Sequence, residues 1–493
     1  MRYLLPLCLG LLLTACGNDV PPPPAMPPLT DLPLIPLPVE LADAEGYLYV
    51  DPATASFGGA DAGAVAYLES QGVPPLPLTT SLDPELQLPA GSYLLQVSPE
   101  GVTLSARERG GLINAASTLV QLVAFSPRTE RGLFLPAGTV TDMPRYAYRG
   151  HMLDVARHFF GVDSVKQVID RIAPYKINHL HLHLSDDQGW RIEIKSWPRL
   201  AEVGGRYEVD GTTGGYYTQD DYREIVDYAA TRGITVVPEI DLPGHTNAAL
   251  SAYAELNLDG KAREPYFGTR VGFSTLDANK EITYDFIDDV VRELAEITPG
   301  PYIHIGGDES DVTPHDDYVK LIRRAQEIVL SHGKRSIGWD EVAVAGLADG
   351  TVTQLWNHEE YALIAKEAGN QVLFSPATRT YLDMQYDSLS RIGLHWAAYI
   401  EVDSAYLWDP QTMVAGITDA NILGIEAPLW SETIRSVEDI DYLMFPRLPA
   451  LAEVAWTPQR QRDYPDFLRR LRAHQDWLKE RGIGTYDTRV LRE

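Results

Sequence analysis

Cysteine is nearly absent. The chain of 493 residues has two, Cys8 and Cys16, both near its start. The folded body therefore carries no disulfide framework and no thiol chemistry. Positive charge is scarce too: 41 Lys plus Arg stand against 69 Asp plus Glu, a formal net charge of −28. So acidic a surface repels phosphate backbones, and nucleic acid is not an expected partner. Long apolar runs are missing beyond the first few residues, which excludes a polytopic membrane protein. Hydrophobic residues at 45% and charged residues at 22% are ordinary for a globular chain, so bulk disorder is excluded as well. The length suffices for two or three domains.

Arg2 precedes an apolar run from Tyr3 to Leu13 that ends in Leu13-Thr14-Ala15-Cys16. The run is too short to span a bilayer but has the length of a signal-peptide core. The tetrapeptide looks like a bacterial lipobox, with cleavage before Cys16 leaving that residue lipidated. A plain secretory signal with an incidental cysteine is the alternative. Nine prolines between Pro21 and Pro38 then suggest an extended, semi-rigid spacer. The expectation is an exported protein held to a bacterial membrane through a lipid anchor only, on the periplasmic or cell-surface side. A leader over 1–15 and a tether over 16–38 precede the folded body.

Residues 39–142 read as a small supporting α+β domain. Gly46–Val50, Tyr93–Val97, Val102–Leu104 and Leu133–Pro136 are strand candidates, and Glu108–Val123 has helical periodicity. Over 143–493 the pattern becomes strand, polar loop, helix, repeated. Strands are expected at Met152–Val155, His179–Leu184, Thr235–Ile240, Tyr302–Ile305, Ser336–Trp339, Val352–Trp356, Gln371–Phe374 and Leu423–Glu426. Helices are expected at Ser164–Tyr175, Thr218–Thr231, Tyr284–Ile297 and Asp316–Ser331. Eight such strands point to a closed (β/α)₈ (TIM) barrel. The short gap between Glu341 and Thr351 and the helix-poor stretch from Pro376 to Asn421 suggest one irregular unit.

Active sites of such barrels lie at the carboxyl ends of the strands. Those ends carry Asp154, Arg157, Asp186, Asp187, Glu239, Asp241, His245, Asp308, Glu309, Trp339, Asp340, Glu341, Trp356, Trp430 and Glu432. Carboxylates suit general acid–base work and aromatic faces suit a sugar ring. Nothing resembles a phosphate cradle or a nucleophilic Ser or Cys beside a base. In His304-Ile305-Gly306-Gly307-Asp308-Glu309 the glycines let the backbone turn sharply, and the adjacent carboxylates raise at least one pKa. His179, His181 and His183 share one strand face, either as metal ligands or as a row of hydrogen-bonded core histidines. The tryptophans are either core or a ligand cage. Tyr381 and Asp383 lie in a long loop and mean little alone.

Together these residues resemble the family 20 glycoside hydrolases, the β-N-acetylhexosaminidases. Seven motifs carry the likeness in order: Met152–Phe159, His181–Arg191, Pro238–His245, His304–Glu309, Gly338–Asp340, Thr380–Met384 and Glu426–Glu432. The resemblance implies removal of terminal β-linked N-acetylglucosamine or N-acetylgalactosamine without an enzymic nucleophile and without a cofactor or metal. The substrate's own acetamido oxygen would attack the anomeric carbon. Glu309 would be the general acid and then base; Asp308 would accept the acetamido N–H, and Tyr381 would donate to the acetamido oxygen. Trp339, Trp356 and Trp430 would enclose the acetamido methyl. Arg157 and Glu432 would hold the 3- and 4-hydroxyls, with Asp383 near the 6-hydroxyl and Asp186 and His245 as a supporting pair. The substrates implied are oligosaccharides or glycoconjugates ending in N-acetylhexosamine. Two rivals are a sugar-binding lipoprotein that has lost catalysis and a metal-dependent barrel hydrolase built on the histidine stripe.

Overall fold

The computed structural model describes residues 23–492. The leader and Cys16 lie outside the described residues. Among the described residues no helix is long and apolar enough to cross a membrane.

The first domain is a mixed sheet. Its strands are β1 (Glu40–Val50), β2 (Leu78–Leu82), β3 (Tyr93–Ser98), β4 (Gly101–Ala106), β5 (Arg128–Thr129) and β6 (Gly132–Asp142). They run in the order β1-β6-β3-β4-β2, antiparallel except where β2 lies parallel to β4. Along β3 and β4 buried and open residues alternate, as a sheet covered on one face requires. The helix Arg109–Phe125 covers that face, with Leu112, Ala116, Leu119 and Val123 in the core. Its outer side packs on the second domain, where Ser117 Oγ donates to Ala173 O at 3.2 Å and Gln121 Nε2 to Pro174 O at 2.8 Å.

Eight parallel strands close the second domain into a barrel: β7 (Tyr148–Asp154), β8 (His179–His183), β9 (Thr235–Glu239), β10 (Tyr302–His304), β11 (Arg335–Trp339), β12 (Val352–Leu355), β13 (Val372–Phe374) and β14 (Ile422–Leu429). The eight expected strands are these eight, and the four expected helices are present at Val162–Ile172, Gln219–Thr231, Glu281–Ile297 and His315–Ser331. Tyr148, Val237, Tyr302, Ile337, Val352, Leu373 and Leu423 pack as an apolar floor at the amino ends of the strands. Two units are irregular where one was expected. After β11 the helix shrinks to a 3₁₀ segment, Asp340–Ala345, and between β13 and β14 the chain makes only short helices. Beyond β14 come three helices that sequence reasoning did not name, Val437–Met444, Arg447–Trp456 and Tyr464–Glu480.

The stretch expected as a spacer up to residue 38 differs in its second half. Leu29, Leu32, Leu34 and Ile35 are buried, and Arg470 Nη1 donates to Leu34 O at 2.9 Å. Proline removes backbone donors but leaves carbonyls and leucine side chains free, and here both find partners. Domain contacts are polar as well as apolar. Buried Asp142 accepts from Tyr93 Oη at 2.6 Å, Lys176 Nζ at 3.1 Å and Trp456 Nε1 at 2.9 Å.

Candidate active site

The carboxyl ends of the strands surround a cavity of about 220 Å³ lined by Arg157, Asp308, Glu309, Trp356, Tyr381, Trp430 and Glu432. That is below the roughly 300–1,000 Å³ of drug-sized pockets and suits one sugar ring. Thr269, Val271, Leu394 and Trp396 complete the wall and were not among the expected site residues. Trp396 is the one with a readable signal, a tryptophan in a loop; it is 57% exposed and stands edge-on to Trp356 and Tyr381. A larger cavity, about 970 Å³, opens on the first domain between the loop after β1 and strands β2 and β4, and holds none of the expected site residues.

Asp308 and Glu309 are presented by the turn after β10. Gly306 and Gly307 take φ values of +64° and +109°, and a Cβ on Gly306 would lie 1.7 Å from Asp241 Oδ1. Only glycine permits this turn. Glu309 itself adopts φ 44°, a left-handed backbone that a side-chain-bearing residue holds only under constraint. Its carboxyl is 37% exposed, whereas that of Asp308 is 10% exposed. Burial and the neighbouring Glu309 carboxylate push Asp308 up to about 6, against the opposing pull of His245. The raised carboxyl expected at this turn is Asp308. Its Oδ1 is buried without a hydrogen-bond partner among the described residues.

Behind the turn, His245 Nε2 lies 3.4 Å from Glu309 Oε2, and His245 Nδ1 lies 3.2 Å from Asp186 Oδ1. Burial opposes the charge on His245, but the carboxylates of Asp186 and Asp308 outweigh it and raise the imidazole well above its usual value. Asp186 is the hub, paired through Oδ2 with Arg157 Nη2 at 2.8 Å and His183 Nε2 at 2.9 Å. Burial alone would raise its pKa; these cations hold it well below the ordinary carboxylate range. Arg157 is aimed by Asp154, which accepts its backbone N–H at 3.0 Å and the Ser431 N–H at 3.0 Å. One carboxylate thus ties the loop after β7 to the Trp430–Glu432 end of β14.

Asp186, His245, Trp339 and Asp383 do not line the cavity; they stand directly behind it. Trp339 is buried, donates to Glu239 Oε1 at 2.9 Å and packs 5.6 Å from Trp430. Asp383 is buried and raised well above its ordinary pKa by that burial and by Glu432. Burial also raises Glu432, although Arg157 opposes it, and Glu432 Oε2 has no hydrogen-bond partner among the described residues. Tyr381 lies nearly parallel to Trp356, ring centroids 6.5 Å apart. The loop bearing Tyr381 and Asp383 is pinned by buried Arg447, which donates to the carbonyls of Leu382 at 2.7 Å, Met384 at 2.7 Å and Ile400 at 3.0 Å.

The histidine stripe folds into ion pairs. His183 Nδ1 bonds Glu239, His181 Nε2 reaches the same carboxylate at 3.1 Å, and His181 Nδ1 bonds Glu426 at 2.9 Å. Burial disfavours charge on His181, yet Glu426 and Glu239 raise it to about 9. His179, at the lower end, stacks on Tyr148. Between the apolar floor and the pocket the barrel therefore carries a charged layer.

A (β/α)₈ barrel whose upper face gathers one exposed and one buried carboxylate, an arginine and an aromatic wall around a single-ring cavity is built to cleave sugars. Comparison with known proteins makes this specific. The model described as glycosyl hydrolase family 20, catalytic domain, matches residues 146–320 and 310–459, and that described as family 20, domain 2, matches 50–143. The chain is 45% identical over 392 residues to the beta-N-acetylhexosaminidase of Cellulomonas fimi, covering 78% of this chain and 79% of that protein. It is 29% identical over 419 residues to human beta-hexosaminidase subunit beta, covering 80% of this chain and 71% of that one. Streptomyces plicatus N-acetyl-beta-hexosaminidase, solved in complex with Thio-NAglucal, superposes with a TM-score of 0.89 at 42% identity, over 94% of this chain and 98% of that one. The chain belongs to glycosyl hydrolase family 20.

Proposed function

We propose that this β-N-acetylhexosaminidase removes single terminal β-linked N-acetylglucosamine or N-acetylgalactosamine residues with retention, using the substrate's acetamido group as nucleophile. The observation that carries the reading is Asp308 Oδ1, a buried and unpartnered acceptor beside the aromatic wall, one residue from the more open Glu309. A carboxylate that accepts the acetamido N–H orients the carbonyl oxygen toward the anomeric carbon. It also stabilises the positive charge of the cyclised oxazolinium intermediate, which the low-dielectric site strengthens. Glu309, reachable from solvent and from His245, gives its proton to the leaving oxygen and then activates water. Trp356 and Trp430, with Trp339 packed behind, confine the acetamido group and so raise the share of reactive conformers. Arg157 and Glu432 line the cavity and bind ring hydroxyls that neutral residues would hold less tightly.

The test compares aryl 2-acetamido and 2-hydroxy β-glycosides, with trapping by a 2-fluoro glycoside. The expected result is turnover of the acetamido substrate alone and no covalent adduct. Comparable turnover of both, with an adduct on Asp or Glu, returns a carboxylate nucleophile. A thiazoline that mimics the cyclised intermediate is expected to inhibit competitively.

The same reading extends to location: we propose lipidation at Cys16, supported by the apolar run and the tetrapeptide before it. Cys16→Ser is expected to release the protein from membranes or leave an unprocessed precursor. Unchanged processing and fractionation would remove the anchor.

A further inference from the structure

The loop after β9 carries a second buried carboxyl against the catalytic turn. Asp241 is 1% exposed, and its Oδ1 accepts the Gly307 N–H at 3.1 Å. Its Oδ2 is buried with no partner among the hydrogen bonds of the described residues. One oxygen each of Asp241 and Asp308 and a nitrogen of His245 lie within 4.8 Å of one another. The Asp241 carboxyl occupies the space that a Cβ at Gly306 would need, so the glycine turn is shaped around this side chain. Two carboxyls this close and this dry cannot both ionise cheaply.

We propose that Asp241 is a positioning residue for the reaction: held neutral against the Gly306–Gly307 turn, it donates a hydrogen bond from Oδ2 to Asp308 and keeps that carboxylate ionised and aimed at the acetamido N–H. The inference rests on the substrate-assisted reading and deepens it. It assigns the proton of the carboxyl pair to the partner that never meets the sugar.

The surroundings agree. Asp308 is faced by His245 and Glu239 from the β9 side, by Glu309 on its own loop and by Arg157 from the loop after β7. Glu341 after β11, Tyr318 of the helix His315–Ser331 and Tyr381 face it from the remaining sides. Of the carboxyl pair, Asp241 is raised well above the ordinary carboxylate range, first by burial and then by Asp308, while Asp308 stops at about 6. Below that pH Asp308 takes up a proton and no longer accepts from the substrate, so kcat/KM falls as pH drops through about 6.

Asparagine mimics the neutral acid, since its oxygen can accept from Gly307 and its amide can donate to Asp308. Alanine supplies neither group. With an aryl N-acetyl-β-glucosaminide, Asp241→Ala is expected to lower kcat by about tenfold to a hundredfold with little change in KM. Its acid limb is expected to move to higher pH, because Asp308 has lost a donor to its ionised form. Asp241→Asn is expected to recover most of the lost rate and keep the parent's acid limb. Difference infrared spectra at pH 7 are expected to show a protonated-carboxyl C=O band in the parent that is missing in Asp241→Asn. A downward shift of the acid limb in the Asn variant, or no such band difference, would mean that Asp241 is ionised and would overturn the proposal. So would an Ala variant with the parent's rate and profile. Should the Ala variant not fold, the Asn profile and the infrared band still decide. Failure of the underlying mechanism is read separately, in the parent's discrimination between 2-acetamido and 2-hydroxy glycosides.

Discussion

The two domains solve burial in opposite ways. In the first, the sheet presents Leu95, Val97, Val102 and Leu104 to the apolar side of one helix, and burial of hydrocarbon holds the layers together. In the second, the barrel encloses His181, His183, Glu239 and Glu426 between an apolar floor and the pocket, all of them at 0% exposure. Burying four ionisable groups costs several kcal/mol each unless they are paired. The barrel pairs them and uses the last link, His183 to Asp186, to fix the residues behind Glu309 and Arg157. A core made of charge is a poor source of stability and a good source of fixed geometry. The first domain buries its charge at its border with the barrel, where Asp142 of β6 pairs with Lys176.

The sharpest break in this contrast is chemical. Glu309→Gln is expected to lower kcat/KM about 10²–10⁴-fold on disaccharide substrates and less on nitrophenyl glycosides, whose leaving groups need little protonation. Equal losses in single-turnover bond cleavage would argue against the acid role.

Stability should separate the domains next. Glu239→Ala takes one of two carboxylate partners from each of His181 and His183 and is expected to cost about 3–5 kcal/mol in urea unfolding at pH 6. His181 has its folded pKa raised to about 9, so the stability it contributes is full below its unfolded value and is lost as pH rises through about 9. The gap between parent and Glu239→Ala should therefore narrow toward alkaline pH. Leu104→Ala in β4 is expected to cost about 2–5 kcal/mol, with no such pH dependence, because it removes only packing. Two parallel pH series would erase the distinction between the cores.

The smallest expected effect has the opposite sign. Asp308 is raised to about 6, so above its unfolded value the folded state is penalised for holding it ionised, fully so above about pH 6. Asp308→Asn is then expected to raise Tm at pH 7 while most activity is lost, and the gain should vanish near pH 4. A variant no more stable than the parent at pH 7 would place less strain on that carboxyl than its surroundings imply.

Much of this was legible in the chain. All eight barrel strands show as short segments rich in apolar residues, because strands buried on both faces favour them, although β8 alternates histidine with leucine and Glu239 and Glu426 lie in β9 and β14. The Gly306-Gly307-Asp308-Glu309 turn is readable because only glycine tolerates its backbone. Other parts were not readable. The helices after β14 follow the last barrel strand, where the repeat no longer guides the eye. Leu29 and Leu34 sit among prolines that suggest an extended spacer, and only the waiting surfaces draw them in, Leu29 beside Gly138 of β6 and Leu34 through its carbonyl on the helix Tyr464–Glu480. Thr269, Val271 and Leu394 carry no chemical signature, and Arg447 looks like an ordinary charge in an apolar helix until its carbonyl partners are seen.

The sequence by itself determined the barrel, the order of its strands and the residue types at their upper ends, since periodicity and side-chain chemistry are local properties. Which of those residues line the cavity and which stand behind it was decided by the tertiary structure alone. Asp186 and Asp308 are alike as letters, yet one is pulled down by Arg157, His245 and His183 while the other is pushed up by burial and Glu309. A carboxylate's role is set by the charges and the dryness around it, and those come from strands far apart in the chain.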